Sequence, residues 1–223
     1  MNEISVNKKN LFSKVRQIHQ SSFYKLREMP KIVAVSKQQE NEKILEALEN
    51  DQKIFGENRV QEAESKWTPL LSIHNDIELH LIGPLQTNKV KKALNLFDVI
   101  HTLDRESLAF EIYKNLKKSD KTKSFFIQVN TGEEQQKSGV FPEKLEEFFD
   151  LCTKKYQIPV IGFMCIPPLN ESPSIHFCYL NKLSQKYKLN HLSMGMSSDY
   201  SEAIKFGATY LRIGTEFFGK RNN

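Results

Sequence analysis

Short apolar segments rich in β-branched and aromatic residues alternate with longer amphipathic segments along most of the chain. This alternation is typical of a parallel sheet whose strands are joined by crossover helices. The apolar segments predict strands at residues 31–36, 53–56, 77–82, 98–102, 124–130, 160–165, 191–194 and 209–214. The segments between them predict helices at residues 40–50, 58–67, 89–95, 105–117, 143–156, 173–187 and 199–206. Pro142 is expected at the start of a helix and Gly207 just after the end of one.

Eight strand and helix units in 223 residues predict a single α/β domain, a closed (β/α)8 TIM barrel. A further helix precedes these units, because Leu11, Val15 and Ile18 fall on one helical stripe. We expect this N-terminal part, residues 1–29, to pack on the barrel. A doubly wound open sheet is the alternative, but it normally carries the dinucleotide-binding pattern GxGxxG, which this sequence lacks.

The composition adds that the protein is folded and mildly basic. Hydrophobic residues make up 39% of the chain and charged residues 26%, which excludes a disordered chain. The formal net charge of +5 suits an anionic ligand. The basic clusters at residues 89–92, 117–123 and 154–155 contain no interleaved aromatic residues, so we do not expect nucleic-acid binding.

Cysteine usage and hydropathy bear on the cellular compartment. Cys152, Cys165 and Cys178 form neither a CxxC pair nor a metal-ligand spacing, which favours a reducing compartment. The longest nearly apolar run, residues 159–169, is much shorter than the roughly 20 residues that span a bilayer. The first residues are polar and lack the apolar core of a signal peptide. We therefore expect a cytoplasmic protein that does not bind membranes.

Lys37 directly follows the first predicted strand, at the end where barrel proteins place their chemistry. A lysine partly removed from water can act as a nucleophile and form a Schiff base with a carbonyl group. Most lysines are solvated surface charges, so position alone leaves both roles open.

The ends of the seventh and eighth predicted strands indicate a phosphate site. Residues 191–199 supply hydroxyl groups before a predicted helix, and residues 212–215 end the last strand. Barrels often bind phosphate between these two loops. Ser197 or Ser198 could equally serve as the N-cap of the following helix.

Other polar residues near the strand ends have structural interpretations. Asn58 stands three residues before Gln61, as in a capping box, although it also lies at the rim of the predicted barrel. His80, His101 and Asp104 follow no metal-binding pattern such as HExxH, so we expect polar residues with satisfied hydrogen bonds and no metal site.

Two patterns approach known motifs without completing them. Residues 214–221 approach a P-loop, but Arg221 stands where a serine or threonine would hold magnesium. Residues 195–199 approach a nucleophile elbow, but Asp199 replaces its last glycine and no histidine follows to complete a triad.

Six motifs, in order along the chain, resemble those of the pyridoxal phosphate homeostasis proteins. They are VAVSK at 33–37, FGENRVQE at 55–62, HLIGPLQTNK at 80–89, GFMCIPP at 162–168, and SMGMSSD at 193–199 followed by RIGT at 212–215. The similarity runs from about residue 31 to residue 221 and so covers nearly the whole chain. It implies a barrel like the N-terminal domain of alanine racemase.

The resemblance also implies a cofactor, pyridoxal 5′-phosphate (PLP), held as a Schiff base on Lys37. It assigns the remaining cofactor contacts as follows: the phosphate to Ser197, Gly214 and Thr215, the pyridine nitrogen to Arg212, and a place beside the cofactor to Asn58. An arginine can only donate a hydrogen bond, so it leaves that nitrogen unprotonated and supports carbanion chemistry poorly. Alanine racemase obtains a second acid/base group from a further domain, and this chain ends where that domain would begin.

We therefore expect an intracellular carrier or reservoir of PLP without robust turnover and with no catalytic residues of its own. Its expected partners are PLP and apo forms of PLP-dependent enzymes, and its expected oligomeric state is a monomer or weak dimer. A weak amino-acid racemase or other PLP-dependent enzyme is the alternative, and an anion- or RNA-binding barrel without a covalent cofactor is a third. Gln39 replaces a second lysine found in many relatives, the basic C-terminal tail of some relatives is missing, and Lys137 matches a family lysine.

Overall fold

A computed structural model describes residues 2–22, 28–117 and 123–220. Within them, parallel strands pair in sequence order and close into an eight-stranded barrel, because the last strand also pairs with the first. The strands are β1 (Lys31–Val35), β2 (Ile54–Glu57), β3 (Glu78–Leu81), β4 (Val99–Leu103), β5 (Ser124–Gln128), β6 (Val160–Met164), β7 (His191–Met196) and β8 (Tyr210–Ile213). The predicted (β/α)8 barrel is confirmed.

Helices lie between the strands and cover the outside of the barrel. They are α1 (Glu3–Gln20), α2 (Asn41–Glu49), α3 (Val60–Leu71), α4 (Val90–Leu96), α5 (Glu106–Leu116), α6 (Leu145–Asp150), α7 (Pro173–Lys186), α8 (Tyr200–Lys205) and α9 (Thr215–Phe218). Helix α1 buries Ile4, Leu11 and Val15 and contacts α2, α8 and α9. Met1 and residues 23–27 of the N-terminal part lie outside the described residues, as do residues 118–122 of one basic cluster and residues 221–223.

Some helix boundaries differ from those predicted. The helix predicted at 143–156 is three pieces, because a 3-10 turn (Pro142–Lys144) precedes α6 and a π-helical turn (Leu151–Lys155) follows it. Helix α9 was not predicted. Pro142 does begin a helical turn, and Gly207, with φ +86°, does follow the end of α8. No helix in the described residues is both long and apolar enough to cross a membrane.

The strands have two buried faces, because alternate residues point outward to the helices and inward to the barrel axis. In β1, Ile32 and Ala34 belong to the core between strands and helices, whereas Val33 belongs to a separate interior cluster. That interior cluster consists of Val33, Val99, Phe126, Met164 and Tyr210. Side chains therefore fill the inside of the barrel in the described part of the chain.

Gly195 allows β7 to change its pairing with β8 before the helix that follows. The register between the two strands shifts between Ser193 and Met196, and Gly195 has φ +92°. A Cβ atom built on Gly195 would lie 2.6 Å from Ala203 Cβ. The position therefore requires glycine both for its dihedral angle and for its close contact with α8.

We expect Gly195→Ala to lower the free energy of unfolding by about 1–3 kcal/mol, since the new side chain brings both backbone strain and overlap. Gly214→Ala is the matched control, because its Cβ would lie 3.6 Å from the nearest atom, at Val35 Cβ, and its φ is −107°. The control is expected to stay within about 1 kcal/mol of the parent protein. Urea unfolding followed by circular dichroism measures both, and equal stabilities would contradict the role of Gly195.

Candidate functional site

One cleft of about 790 Å³ opens at the carboxyl ends of the strands and brings together every residue that the sequence singled out for a cofactor. These residues are Lys37, Asn58, Ser197, Arg212, Gly214 and Thr215. They come from loops after β1, β2 and β7 and from the end of β8. The parallel barrel brings them together because the carboxyl ends of all its strands face the same side.

Several residues of this cleft were not identified from the sequence. Val35, Ile82, Ile166 and Met196 add apolar side chains, and Gly219 and Lys220 also line it. Isolated apolar residues at strand ends carry no distinctive sequence signal, so they could not be separated from the core. Gly219 and Lys220 belong to the segment that resembles a P-loop. Arg221 of that segment lies outside the described residues.

The segment before Lys37 is fixed by a buried carboxylate. Ser36 Oγ donates a hydrogen bond to Glu57 Oε1 (2.8 Å), and Trp67 Nε1 donates to the same oxygen (3.0 Å). Lys66 Nζ donates to Glu57 Oε1 (3.1 Å) and to the Ser36 carbonyl oxygen (2.9 Å). Glu57 is fully buried and the Lys66 side chain is 9% exposed, so this ion pair lies almost entirely out of water.

The segment after Lys37 is fixed by the same helix, α3. Gln38 has φ +57°, and its N–H donates to Glu62 Oε1 (2.6 Å), which also accepts from Lys66 Nζ (3.1 Å). Burial opposes ionisation of Glu62, but the hydrogen bonds from Gln38 and Lys66 hold the pKa of its carboxyl below the usual range. Lys37 therefore stands between Ser36 and Gln38, which both hydrogen-bond to side chains of α3. The backbone of Lys37 is thereby tied to that helix.

Arg212 supplies a buried positive charge to the cleft. It is 4% exposed, and its terminal nitrogens donate to the carbonyl oxygens of Ser193 (2.7 Å) and Cys165 (2.8 Å) and to Ser193 Oγ (2.6 Å). Burial lowers the pKa of Arg212, but an arginine pKa is so high that the side chain stays a cation at neutral pH. Among the described residues, no carboxylate lies within ion-pair distance of this guanidinium, although the more distant charge of Asp199 opposes the effect of burial on the pKa of Arg212.

Cys165 is not a nucleophile of this site, although it neighbours Arg212. Its side chain is fully buried, and burial raises the pKa of its thiol to about 12. The thiolate is the reactive form of cysteine, so this thiol is inert at neutral pH.

Ser197 and Ser198 line the cleft and do not cap a helix. Helix α8 begins at Tyr200, and its N-cap is Asp199. Asp199 Oδ1 accepts a hydrogen bond from the Met196 N–H (2.6 Å), which ties the two ends of the loop together. The N-cap interpretation of the two serines is therefore wrong, because the loop turns toward the barrel mouth before the helix starts. Both serines line the same cleft as Thr215, the first residue of α9.

Asn58 likewise does not form the capping box that its spacing suggested. Helix α3 begins at Val60, and its N-cap is Arg59, which makes no side-chain capping hydrogen bond. The backbone of Asn58 is instead packed against the end of β3, where a Cβ atom on Gly83 would lie 2.2 Å from the Asn58 carbonyl oxygen. This close contact sets the path of the chain and leaves the Asn58 side chain at the cleft.

The other polar residues singled out from the sequence have partners, as expected. His80 and His101 hydrogen-bond to each other (2.9 Å) inside the barrel, and Asp104 accepts from Arg105 (2.6 Å). The described residues contain no group of three or more potential metal ligands. Lys137 pairs with Glu134 (2.5 Å) in a partly exposed loop, whereas Gln39 lines the cleft.

The cleft thus combines groups that suit one class of ligand. It is lined by Lys37, by residues with hydroxyl groups at Ser197, Ser198 and Thr215, by the buried cation Arg212 and by apolar side chains. This set matches a flat organic anion that carries a carbonyl group, because each part of such a molecule meets a complementary group.

The sequence and the fold were compared with known proteins. The family model of the alanine racemase N-terminal domain matches residues 6–222. A pyridoxal phosphate homeostasis protein of Aquifex aeolicus is 42% identical over 200 residues, which cover 86% of this chain and 87% of that protein. The corresponding protein of Vibrio cholerae is 38% identical over 201 residues, 86% of this chain and 85% of that protein.

Solved structures give the same result for the fold. PipY of Synechococcus elongatus with PLP bound has a TM-score of 0.83 and 31% identity, covering 97% of this chain and 100% of that one. Alanine racemase of Bartonella henselae has a TM-score of 0.70 at 16% identity, with 99% of this chain matched to 60% of that one, which shows a shared fold.

Proposed function

The chain belongs to the alanine racemase N-terminal domain family and, within it, to the pyridoxal phosphate homeostasis proteins, and from this we infer that it binds PLP and serves PLP homeostasis. The observation that carries this proposal is the single cleft in which Lys37, Arg212 and the serine and threonine hydroxyls meet. PLP is a flat aromatic aldehyde with a phosphate group, so it belongs to the ligand class that this cleft suits.

Each part of PLP has a proposed partner in the cleft. Ser197, Thr215 and the open backbone at Gly214 receive the phosphate, and Asn58 lies beside the ring. The amine of Lys37 condenses with the aldehyde, so that a C=N bond forms and one water molecule leaves. Lys37 would in this way hold the aldehyde out of solution, and hydrolysis of the C=N bond would return the free amine of Lys37 and release PLP.

Arg212 supports a carrier role over catalysis. It places a permanent hydrogen-bond donor where the pyridine nitrogen is proposed to lie, so the nitrogen accepts this bond and stays unprotonated. An unprotonated ring withdraws electrons weakly, and the cofactor is then a poor stabiliser of carbanions. We propose that the protein stores PLP and delivers it to apo-enzymes in the cytoplasm, without robust turnover. The three cysteines are free, which fits that compartment.

Borohydride reduction tests the proposal directly. The apo protein is incubated with PLP, reduced, digested and mapped by mass spectrometry. We expect a single pyridoxyl tag, on the peptide that contains Lys37. Lys220 is the internal control, because it lines the same cleft and is more exposed. A tag on Lys220, or no tag, would contradict the proposal.

The phosphate contacts are tested with pyridoxal, which has the aldehyde but no phosphate group. We expect it to bind roughly tenfold more weakly or worse, since hydrogen bonds to a charged group contribute more than neutral ones. Equal affinity for the two aldehydes would place the phosphate outside the site.

Racemase activity is the alternative that the fold itself raises, because alanine racemases share the barrel. Incubation of the PLP-loaded protein with L-alanine, followed by chiral chromatography, distinguishes the two functions. We expect no accumulation of D-alanine above that of free PLP. Turnover that disappears in Lys37→Ala would replace the carrier role with an enzymatic one.

A further inference from the structure

A continuous chain of buried polar side chains runs through the inside of the barrel, away from the cleft. Arg212 donates to Ser193 Oγ (2.6 Å), and Ser193 Oγ is 2.7 Å from His101 Nδ1. His101 Nε2 is 2.9 Å from His80 Nδ1, and His80 Nε2 is 2.7 Å from Glu78 Oε1. Ser193, His80 and His101 are fully buried, so no water competes for these bonds.

The two ends of this chain lie at opposite mouths of the barrel. Arg212 lines the cleft at the carboxyl ends of the strands. Glu78 is the first residue of β3, at the amino ends, and its side chain is 34% exposed. Lys31 Nζ lies 3.9 Å from the other oxygen of Glu78 and does not belong to the chain. We call the four residues behind Arg212 the interior chain: Glu78, His80, His101 and Ser193.

With both histidine rings neutral and Glu78 ionised, the hydrogen-bond inventory gives every bond one direction. Arg212 can only donate, so Ser193 Oγ accepts from it and has its own proton left to give to His101 Nδ1. A neutral His101 then carries its proton on Nε2 and donates to His80. His80 in turn carries its proton on Nε2 and donates to the Glu78 carboxylate. One set of tautomers therefore satisfies all five groups, and every donor points away from the cleft.

The surroundings of the chain favour these ionisation states. Burial lowers the pKa of His101 well below its usual value, and the charges of His80 and Arg212 act in the same direction. The hydrogen bond from His80 lowers the pKa of the Glu78 carboxyl, against the effect of its burial. The interior chain thus joins the Arg212 cation to the Glu78 carboxylate through Ser193 and the two histidine rings.

We propose that the interior chain positions Arg212 and keeps its charge directed at the ligand in the cleft, which makes Glu78 a positioning residue for a site at the other end of the barrel. A carboxylate in direct contact with the guanidinium would orient it equally well, but would also neutralise it. Neutral links avoid this, while each bond polarises the next and makes Ser193 Oγ a better acceptor. The inference rests on the proposed binding of PLP, because it assigns Arg212 a ligand.

The tautomers can be measured without any ligand. Long-range ¹H–¹⁵N correlation spectra of the apo protein labelled with ¹⁵N-histidine, assigned with His80→Gln and His101→Gln, report which nitrogen of each ring carries the proton. We expect both rings to be neutral with the proton on Nε2 at pH 7. A proton on Nδ1 of either ring, or a cationic ring, would break the direction of the chain and overturn the inference.

The effect on the cleft is measured with Glu78→Gln, which keeps the shape of a partly exposed side chain and so leaves the core intact. Lys31→Met is the matched control, because it removes the other charge near Glu78 but no link of the chain. We expect Glu78→Gln to weaken PLP binding roughly tenfold and to shift the visible absorption maximum of the bound cofactor. We expect Lys31→Met to match the parent protein in both.

The possible outcomes separate the inference from the proposed function. If the parent protein itself shows no PLP band, the proposed function fails. The tautomer measurement still decides whether the hydrogen bonds of the interior chain have the proposed directions. If the parent binds PLP but Glu78→Gln matches it, the positioning role is overturned. Equal changes in Glu78→Gln and Lys31→Met would also overturn it, since they would reflect charge at the barrel mouth.

Discussion

Replacing Lys37 with alanine is expected to abolish the visible absorption band that the protein acquires with PLP, together with the adduct that survives borohydride reduction. The reason is chemical, because without the amine no C=N bond can form at the end of β1. The phosphate contacts remain, so we expect weak, reversible binding without the band. Titration of PLP into the apo variant, followed by absorption spectra, measures both effects.

Two further variants make this result specific. Lys37→Arg keeps the positive charge but cannot form the bond, so it should behave like the alanine variant. Lys220→Ala removes the other lysine that lines the cleft in the described part of the chain and should retain the band. Retention of the band in Lys37→Ala, or its loss in Lys220→Ala, would show that the covalent link does not form on Lys37 as proposed. Lys37 is only partly buried, so all three variants should fold normally.

Replacing Lys66 with methionine is expected to give the largest loss of stability, about 3–5 kcal/mol in the free energy of unfolding. Methionine fills a similar volume but leaves the Glu57 carboxylate fully buried without its cation. One oxygen of this carboxylate, Oε2, already has no hydrogen-bond partner in the structure. Uncompensated buried charge is among the costliest defects in a folded protein. Chemical denaturation followed by circular dichroism gives the value.

An exposed ion pair between α4 and the same helix, α3, provides the control. Lys92 pairs with Glu64 of α3 at 2.8 Å, and both side chains are about half exposed to water. We expect Lys92→Met to cost less than about 1 kcal/mol, since exposed pairs gain little in water. Lys66→Met should also weaken PLP binding, because Lys66 holds the carbonyl of Ser36 next to Lys37. Similar losses of stability in Lys66→Met and Lys92→Met would contradict the prediction, because they would show that the buried Glu57 carboxylate tolerates the loss of its cation.

The barrel was predictable from the sequence because its signal is local. Each strand is a short apolar segment, and each helix has apolar residues that repeat along one face. The alternation of strands and helices then leaves few possible folds. Position at a strand end then led to Lys37 and to the residues after β7 and β8. Family motifs added Asn58 and the separate roles of Arg212 and Ser197.

The helix caps were mispredicted because spacing does not determine where a helix begins. Asn58 and Ser197 both have side chains that suit an N-cap, yet α3 and α8 each start later, at Val60 and Tyr200. In each case a contact made elsewhere sets the path of the chain: the packing of Asn58 against Gly83, and the bond between Asp199 and Met196.

The interior chain could not be predicted, because its links join residues that are distant in sequence. His80 and His101 are 21 positions apart, and His101 and Ser193 are 92 apart. Each is an isolated polar residue within an apolar strand, a pattern that equally fits a single satisfied side chain. Only barrel closure determines which alternate residues meet on the axis.

The filled interior of the barrel also limits how PLP can move in and out. Aromatic and aliphatic side chains such as Phe126, Met164 and Tyr210 fill the axis in the described part of the chain, so we expect the cofactor to enter and leave at the carboxyl face. Binding and release would then use the same opening. In the proposed carrier role, a recipient enzyme that took PLP directly from the protein would have to reach this face after the protein had been loaded.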